Sequence, residues 1–278
     1  MKINFTKMHS LGNDFIIING IYNKISLTKK YITKIANRHT GIGFDQCIIL
    51  KKSNDKKIDF LYTIYNSNGK EVFQCCNGVR CLYKFITHNN ITQKKRITIA
   101  TKFTKSITFL NQKKTITTII KKPKLINIIK SFDYFKKNHF HTLFVKKTLK
   151  YKIYTIDIGN PHAIIVKKNI NKISIKKIGK QISKHSFFKE ETNVEFMQII
   201  NSNYIKIRVY ERGCGETKSC GSGAIASAII AKIFFNLKKK INVLFSNGKL
   251  SVYWPSIYSP IYITGPAKIV YEGVLQIM

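Results

Sequence analysis

Acidic side chains are scarce in this sequence: 13 Asp and Glu stand against 49 Lys and Arg, a formal net charge of +36 over 278 residues. Arginine is scarcer still, limited to Arg38, Arg80, Arg96, Arg208 and Arg212. That shortage weakens the reading the charge invites. A nucleic-acid or anionic-membrane surface gathers its cations into a patch or stripe. Here Lys, Ile and Asn are spread together through segments that otherwise read as ordinary strands and helices, as A+T-rich coding DNA would produce. No apolar run approaches the ~20 residues of a membrane span. The opening M-K-I-N-F-T-K-M-H-S has no apolar core with a cleavage site, so no secretory signal is expected. Neither G-x-G-x-x-G nor G-x-x-x-x-G-K-[ST] occurs, which argues against a phosphate-cradling loop. The six cysteines are irregularly spaced and form no C-x-x-C pair, which argues against a disulfide framework, a thiol-redox motif and a metal site. They read as reduced thiols of a cytoplasmic protein.

Against these absences, two stretches stand out as copies of each other. Glu71–Arg80 reads E-V-F-Q-C-C-N-G-V-R and Glu216–Ile225 reads E-T-K-S-C-G-S-G-A-I. Both fit E-x-x-x-C-x-[N/S]-G, both run into an apolar segment of helical character, and they lie about half a chain apart. A small polar turn opening a helix directs several free backbone N–H groups at whatever lies in front of it. A cysteine there has its thiolate favoured by the helix dipole. Two such elements at matching points of two half-chains suggest a pseudo-symmetric site with one thiol on each side.

The periodicity is consistent with a duplicated plan. Strands are expected over 2–8 and 14–19 with the turn S-L-G-N-D between them, then a helix from Thr28, the glycine turn 40–46, the strand C-I-I-L, and an alternating strand ending at Asn66. The β-branched residues 97–120 read as a run of strands. In the second half, strands around 140–158 and 163–166 precede a helix near 173–185, the strand Tyr204–Tyr210, the turn E-R-G-C-G-E and the second cysteine helix. Strands near 241–264 and a last segment, 267–278, close the chain. This is an α+β pattern. The expected boundary is Lys121–Lys122–Pro123, giving a half 1–120, to which 267–278 returns, and a half 121–266.

Two thiols facing each other across a small substrate suit the inversion of a carbon centre, in which one group removes a proton from one face and another delivers a proton to the opposite face. The stretches K-M-H-S-L-G-N-D-F, G-I-G-F-D-Q, Q-C-C-N-G-V-R-C, G-N-P-H, R-V-Y-E-R-G-C-G-E-T-K-S-C-G-S-G-A and Y-I-T-G-P-A, in this order over essentially the whole chain, resemble the diaminopimelate epimerase family. The resemblance implies two similar domains, each a curled, mostly antiparallel, barrel-like sheet around a central helix, with the active site in the cleft between them. It implies interconversion of LL- and meso-diaminopimelate, in lysine and peptidoglycan-precursor synthesis, without pyridoxal phosphate or metal, by a cytoplasmic homodimer with no nucleic-acid or membrane partner.

By motif, the resemblance makes Cys75 and Cys220 the acid/base thiols, with His162 and Glu211 beside them. It makes Asn13, Gln46, Asn66, Asn160, Asn193 and Arg212 substrate contacts at the distal amino-acid end. The backbone N–H groups of Cys76–Asn77 and Gly221–Ser222 would receive the carboxylate at the reacting carbon. The chain departs from the family pattern at Cys76, where glycine is usual and a Cβ would restrict the backbone and crowd the carboxylate site, and at Asn68, where Asp is usual. Cys47 and Cys81 read as small buried hydrophobes, and His88, His139 and His185 as surface residues. A Cys75–Cys220 disulfide would be an oxidised, inactive form. The rival readings are a proline or hydroxyproline racemase of the same plan, a basic nucleic-acid-binding protein, and a thiol-redox protein.

Overall fold

A computed structural model of the chain describes residues 2–23, 25–120, 140–146 and 149–276. The chain divides into two compact units, Met1–Ile120 with Thr264–Met278, and Lys121–Ile263. The expected junction Lys121–Lys122–Pro123 lies outside the described residues, as does His139.

In the first unit, strands β1 (Lys2–Ser10) and β2 (Asn13–Asn19) form a hairpin. Its turn places Leu11 and Gly12 at positive φ. Helix α1 (Lys29–Ala36) follows, with the Thr28 side chain accepting from Tyr31 N. It leads to β3 (Gln46–Lys52), parallel to β2, and β4 (Phe60–Asn66), antiparallel to β3. Helix α2 (Cys76–His88) then crosses to β5 (Arg96–Ala100), parallel to β4, and the antiparallel strands β6 (Lys105–Leu110) and β7 (Ile116–Ile120). The run Phe15-Ile16-Ile17-Ile18 is wholly buried because β2 is covered on both faces, the condition under which a strand reads as continuous rather than alternating hydrophobicity. One face (Phe15, Ile17, Ile48, Leu50) packs with Leu82, Phe85 and Ile86 of α2. The other (Ile16, Ile18, Cys47, Ile49) packs with Ile32 and Ile35 of α1.

The second unit repeats this order. Strands β8 (His141–Lys146) and β9 (Leu149–Asp157) lead to β10 (Pro161–Val166), antiparallel to β9. Helix α3 (Ile175–Ser183) crosses to β11 (Asn193–Asn201), parallel to β10, and β12 (Tyr204–Glu211) returns antiparallel. The short β13 (Gly215–Thr217), which the periodicity did not indicate, folds back on β12 before helix α4 (Gly221–Phe235). Helix α4 then crosses to β14 (Lys240–Phe245), parallel to β12 and antiparallel to β15 (Gly248–Tyr253). Helix α4 is apolar almost all round and buried from Ala224 to Ala231, as a central helix must be. Helix α3 lies close on β12: a Cβ on Gly179 would come within 2.5 Å of Tyr210 Cβ.

After β16 (Ile261–Gly265), strand β17 (Lys268–Gln276) returns to the first unit and pairs antiparallel with β1. The architecture is α+β in two pseudo-symmetric parts, and the curled sheets are open rather than closed into barrels. No helix of the described residues is long and apolar enough to cross a membrane.

Candidate active site

Cys75 is the N-cap of α2. Its backbone is extended (φ −144°, ψ 116°) and its sulfur accepts from Gly78 N at 3.5 Å, the bond a Ser or Asp oxygen makes at other helix starts. Gly78 lets the helix sit low on the sheet, since a Cβ there would meet Ile48 Cδ1 at 2.9 Å and Phe15 Cε1 at 3.3 Å. On the sulfur's other side is Asn13 Oδ1, 3.7 Å away, which also accepts from Asn77 Nδ2 at 3.2 Å. Asn13, Cys75 and Asn77 are therefore one cluster, and Asn13 lies against the thiol itself. Gln46 faces Asn66 across β3 and β4 and donates to its Oδ1 at 2.8 Å. Gln46 Oε1 is buried with no partner among the described residues.

Cys76 is the first residue of α2 and is buried, and it is not among the residues with positive φ. The position therefore tolerates a Cβ. Burial pushes the Cys76 thiol up to about 11, against the pull of the Arg80 guanidinium. Arg80, one turn on, is fully buried.

Cys220 caps α4 in the same way (φ −130°, ψ 121°), its sulfur accepting from Gly223 N at 3.4 Å and lying 3.3 Å from Ser222 Oγ. Its surroundings are acidic. Burial, then the carboxylates of Glu211 and Glu195, push its thiol well above the ordinary range, outweighing Ser222 and Gly223. The dipole-stabilised thiolate expected from the sequence is thus overruled at this helix: Cys220 rests as a thiol. Burial also raises Glu211, although Thr217 and Cys220 hydrogen-bond to it. A carboxylate beside an S–H is placed to hold that proton when the thiol gives it up.

His162 is fully buried, with Nδ1 2.8 Å from Glu195 Oε1. An ionised Glu195 can only accept, so Nδ1 carries the proton and Nε2, which has no partner among the described residues, is left as the acceptor. Glu195 is the functional candidate that the sequence did not disclose. It is wholly buried in β11, and a Cβ on Gly223 would stand 2.7 Å from its Oε1. Asn193 donates to Pro161 O (3.3 Å) and accepts from Arg212 N (3.0 Å), tying together the starts of β10 and β11 and the turn after β12. The Arg212 guanidinium rests on Glu190 Oε2 and Glu191 O, each at 3.2 Å. Asn160 sits in the turn before β10, where its carbonyl accepts from Ile158 N at 3.3 Å.

Each unit thus presents a capped cysteine, first-turn backbone N–H groups at a helix start (Cys76–Asn77; Gly221–Ser222), and amide or acid side chains at matching strand ends. All six cysteines are free thiols, and Cys47 and Cys81 are fully buried. No cluster of three or more His, Cys, Asp or Glu suited to a metal ion is found among the described residues. The set can move a proton at carbon with sulfur as base or acid, and can receive a carboxylate on backbone N–H groups.

Comparison with known proteins agrees with this chemistry. A relative called diaminopimelate epimerase, from Legionella pneumophila (strain Paris), is 45% identical over 275 residues, covering 99% of each chain. Among solved structures, a putative phenazine biosynthesis PhzC/PhzF protein from Clostridium difficile superposes with a TM-score of 0.70 at 12% identity, covering 99% of this chain and 100% of that one. A hydroxyproline epimerase from Agrobacterium vitis with bound trans-4-hydroxy-L-proline gives 0.67 at 9% identity, covering 99% and 92%. At such identities the two structures show a shared fold. The family model described as diaminopimelate epimerase matches residues 5–117 and 154–270. With that match and the full-length relative, this chain belongs to the diaminopimelate epimerase family of isomerases.

Proposed function

We propose that the protein converts LL-2,6-diaminopimelate to the meso isomer by proton transfer between two cysteines, without a cofactor. Supporting this reading is one observation above the others: a cysteine N-caps the central helix of each unit, its sulfur accepting from the third residue of the helix. One thiolate removes the α-proton from one face of the carbon and the other thiol protonates the opposite face. The carboxylate of the reacting centre is received by the first-turn N–H groups of α2 and α4, where negative charge builds up as the C–H bond breaks. Glu211 holds the proton of Cys220, and His162, oriented by Glu195, offers Nε2 to the site. Gln46, Asn66, Asn160 and Asn193 supply amide groups. The guanidinium of Arg212 exchanges the exposed Glu190 for the distal carboxylate of the substrate. The enzyme works in the cytoplasm as a homodimer, supplying lysine and peptidoglycan precursors.

The test is deuterium incorporation at the α-carbon of LL-diaminopimelate in D₂O, under reducing conditions with no added cofactor, for the wild type, Cys75→Ala and Cys220→Ala. The expected result is exchange and epimerisation by the wild type, with epimerisation lost in each variant. Inactivity of the wild type on this substrate with activity on proline would replace the substrate. Inactivity on both would overturn the reaction.

A further inference from the structure

Between Asp45 and Arg80 runs a single line of side-chain hydrogen bonds with a defined direction. Asn13 Nδ2 donates to Asp45 Oδ2 at 3.0 Å. Asn77 Nδ2 donates to Asn13 Oδ1 at 3.2 Å, and Arg80 donates to Asn77 Oδ1. A carboxylate can only accept and a guanidinium can only donate. The two amides between them therefore have one arrangement that satisfies every member, because turning either would set oxygen against oxygen or N–H against N–H.

Both ends of the line are anchored. Asp45 also accepts from Arg38 (2.9 Å) and from Asp14 N (3.1 Å). Burial alone would raise Asp14, but Arg38 and Lys7 bring it down to about 2, so it remains a fixed anion for Arg38. At the other end, Arg80 donates to Cys76 O (3.2 Å) and Ser10 Oγ (3.0 Å), and Ser10 donates in turn to Pro266 O (2.8 Å).

The direction has a consequence at the thiol. The carbonyl oxygen of Asn13, and not its NH₂, lies 3.7 Å from Cys75 Sγ. We propose that Asp45 and Arg80 are positioning residues that hold Asn13 as an obligate acceptor beside Cys75. This corner of the site then receives the thiol proton or a substrate ammonium and turns away a carboxylate, which is left for the helix N-terminus. In this way two residues that need not touch the substrate set which way round an amino acid lies against Cys75. The inference rests on Cys75 being a working thiol of the proposed reaction.

The test is a donor–acceptor exchange. Asp45→Asn frees Asn13 to turn, and Asn13→Asp sets two carboxylates against each other; each is expected to lower kcat/KM at least tenfold, mainly through KM. Combining Asn13→Asp with Asp45→Asn restores one donor and one acceptor between the two side chains, with oxygen still facing Asn77 and Cys75. The Asp14 N–H, which shares Asp45 Oδ2 with Asn13, loses that acceptor, so the rescue is expected to be partial. The combined variant is expected to exceed the weaker single variant at least tenfold. A purely structural role would give losses that add, and an additive double variant overturns the proposal.

A second measurement needs no substrate: the alkylation rate of Cys75 at one pH, read by peptide mass spectrometry. The Gly78 N–H that donates to the sulfur, and Tyr62 nearby, are the same in every variant. Asp45→Asn should alkylate faster, because an amide N–H can now reach the sulfur, and the combined variant should be no faster than wild type. An unchanged rate in Asp45→Asn sinks the idea. If Asp45→Asn does not fold, Asn77→Asp probes the line from its other end, with the same tenfold loss expected and an unchanged kcat/KM as the contrary result. Should wild type prove inactive on diaminopimelate while the alkylation pattern holds, the proposed function fails and the positioning role stands.

Discussion

Beneath α2 the first unit places Phe15 and Ile48; beneath α4 the second places His162 and Glu195. The strand registers make these matching positions. Phe15 stands opposite Gln46 as His162 stands opposite Asn193, and Ile17 opposite Ile48 as Ile164 opposite Glu195. The glycine three residues after each cysteine rests on this floor, apolar in one unit and ionisable in the other. Two residues further along the helix the polarity is reversed: Arg80 is buried in α2, and Ile225 is buried in α4. The duplicated frame thus keeps the cap geometry of the cysteine and changes the charge around it. Cys75 has a buried cation one turn away, and Cys220 has two carboxylates. A thiol pair that must act once as base and once as acid gains from such unequal surroundings, because identical environments would favour the same protonation state on both sides.

The largest effect is expected from making the second floor like the first. His162→Phe combined with Glu195→Ile should lower kcat/KM by about 10²–10⁴-fold, the usual contribution of a positioned acid–base group. Thermal unfolding should show stability kept or raised, since replacing both partners of a buried hydrogen bond by apolar groups of similar shape can be nearly neutral or stabilising. Retained activity would show the difference between the floors to be incidental.

Next in size is Gly223→Ala, whose Cβ would approach Glu195 Oε1 to 2.7 Å within a packed carboxylate–imidazole pair. A loss of about 1–3 kcal/mol is expected by denaturant unfolding. Gly78→Ala meets the end of the Ile48 side chain and should cost less. Equal losses would mean that the ionisable floor yields as readily as the apolar one.

A smaller change is expected for Glu211→Gln. Carboxylates beside Cys220 destabilise its thiolate and raise the thiol pKa, so removing one negative charge lowers it. The alkylation profile of Cys220 should shift to lower pH, and at pH 8 the rate should rise by about three- to tenfold, a shift of half to one unit. A shift to higher pH would contradict the acidic setting. The smallest effect belongs to Cys76→Gly, which gives α2 the glycine that α4 has at the same place, Gly221. Adding glycine's backbone freedom to a helix end should cost about 0.5–1 kcal/mol, with turnover unchanged. Faster turnover would mean that the Cys76 Cβ does crowd the carboxylate site.

Much of this frame could be read from the chain. The two cysteine turns announce two helix N-termini, and Thr28 marks the start of α1, because capping depends on neighbours a few residues away. The alternation before Asn66 and the β-branched run 97–120 likewise appear as β4 to β7. What stayed hidden depends on distant partners. Glu195 lies in N-V-E-F-M, a run too short to say which face it shows, and its imidazole partner is 33 residues away. An acid inside an apolar strand of so basic a chain was the available signal. The upward shift of the Cys220 thiol was hidden for the same reason, since the helix dipole is local, whereas the burial and the opposing carboxylates of β11 and β12 come from distant segments. Asn13 could be assigned to the site from its motif, but its placement against the thiol required the hairpin to be folded.

The pairing of β1 with β17, Lys2 opposite Gln276 through His9 opposite Lys268, also bears on how the molecule is made. During synthesis the second unit is a complete insert and can fold as it emerges, whereas the first must wait for residues 264–276. Until then β1 has an unpaired edge, and Ser10 lacks the Pro266 carbonyl that ends the line of bonds leading from Cys75. The surroundings of that thiol are therefore assembled last. A polypeptide broken off early should carry a folded Cys220 half and an unfinished Cys75 half. Because Lys2 and Gln276 lie side by side, a short peptide joining them, with a new break at an exposed turn such as 53–57, should let the first unit fold without waiting.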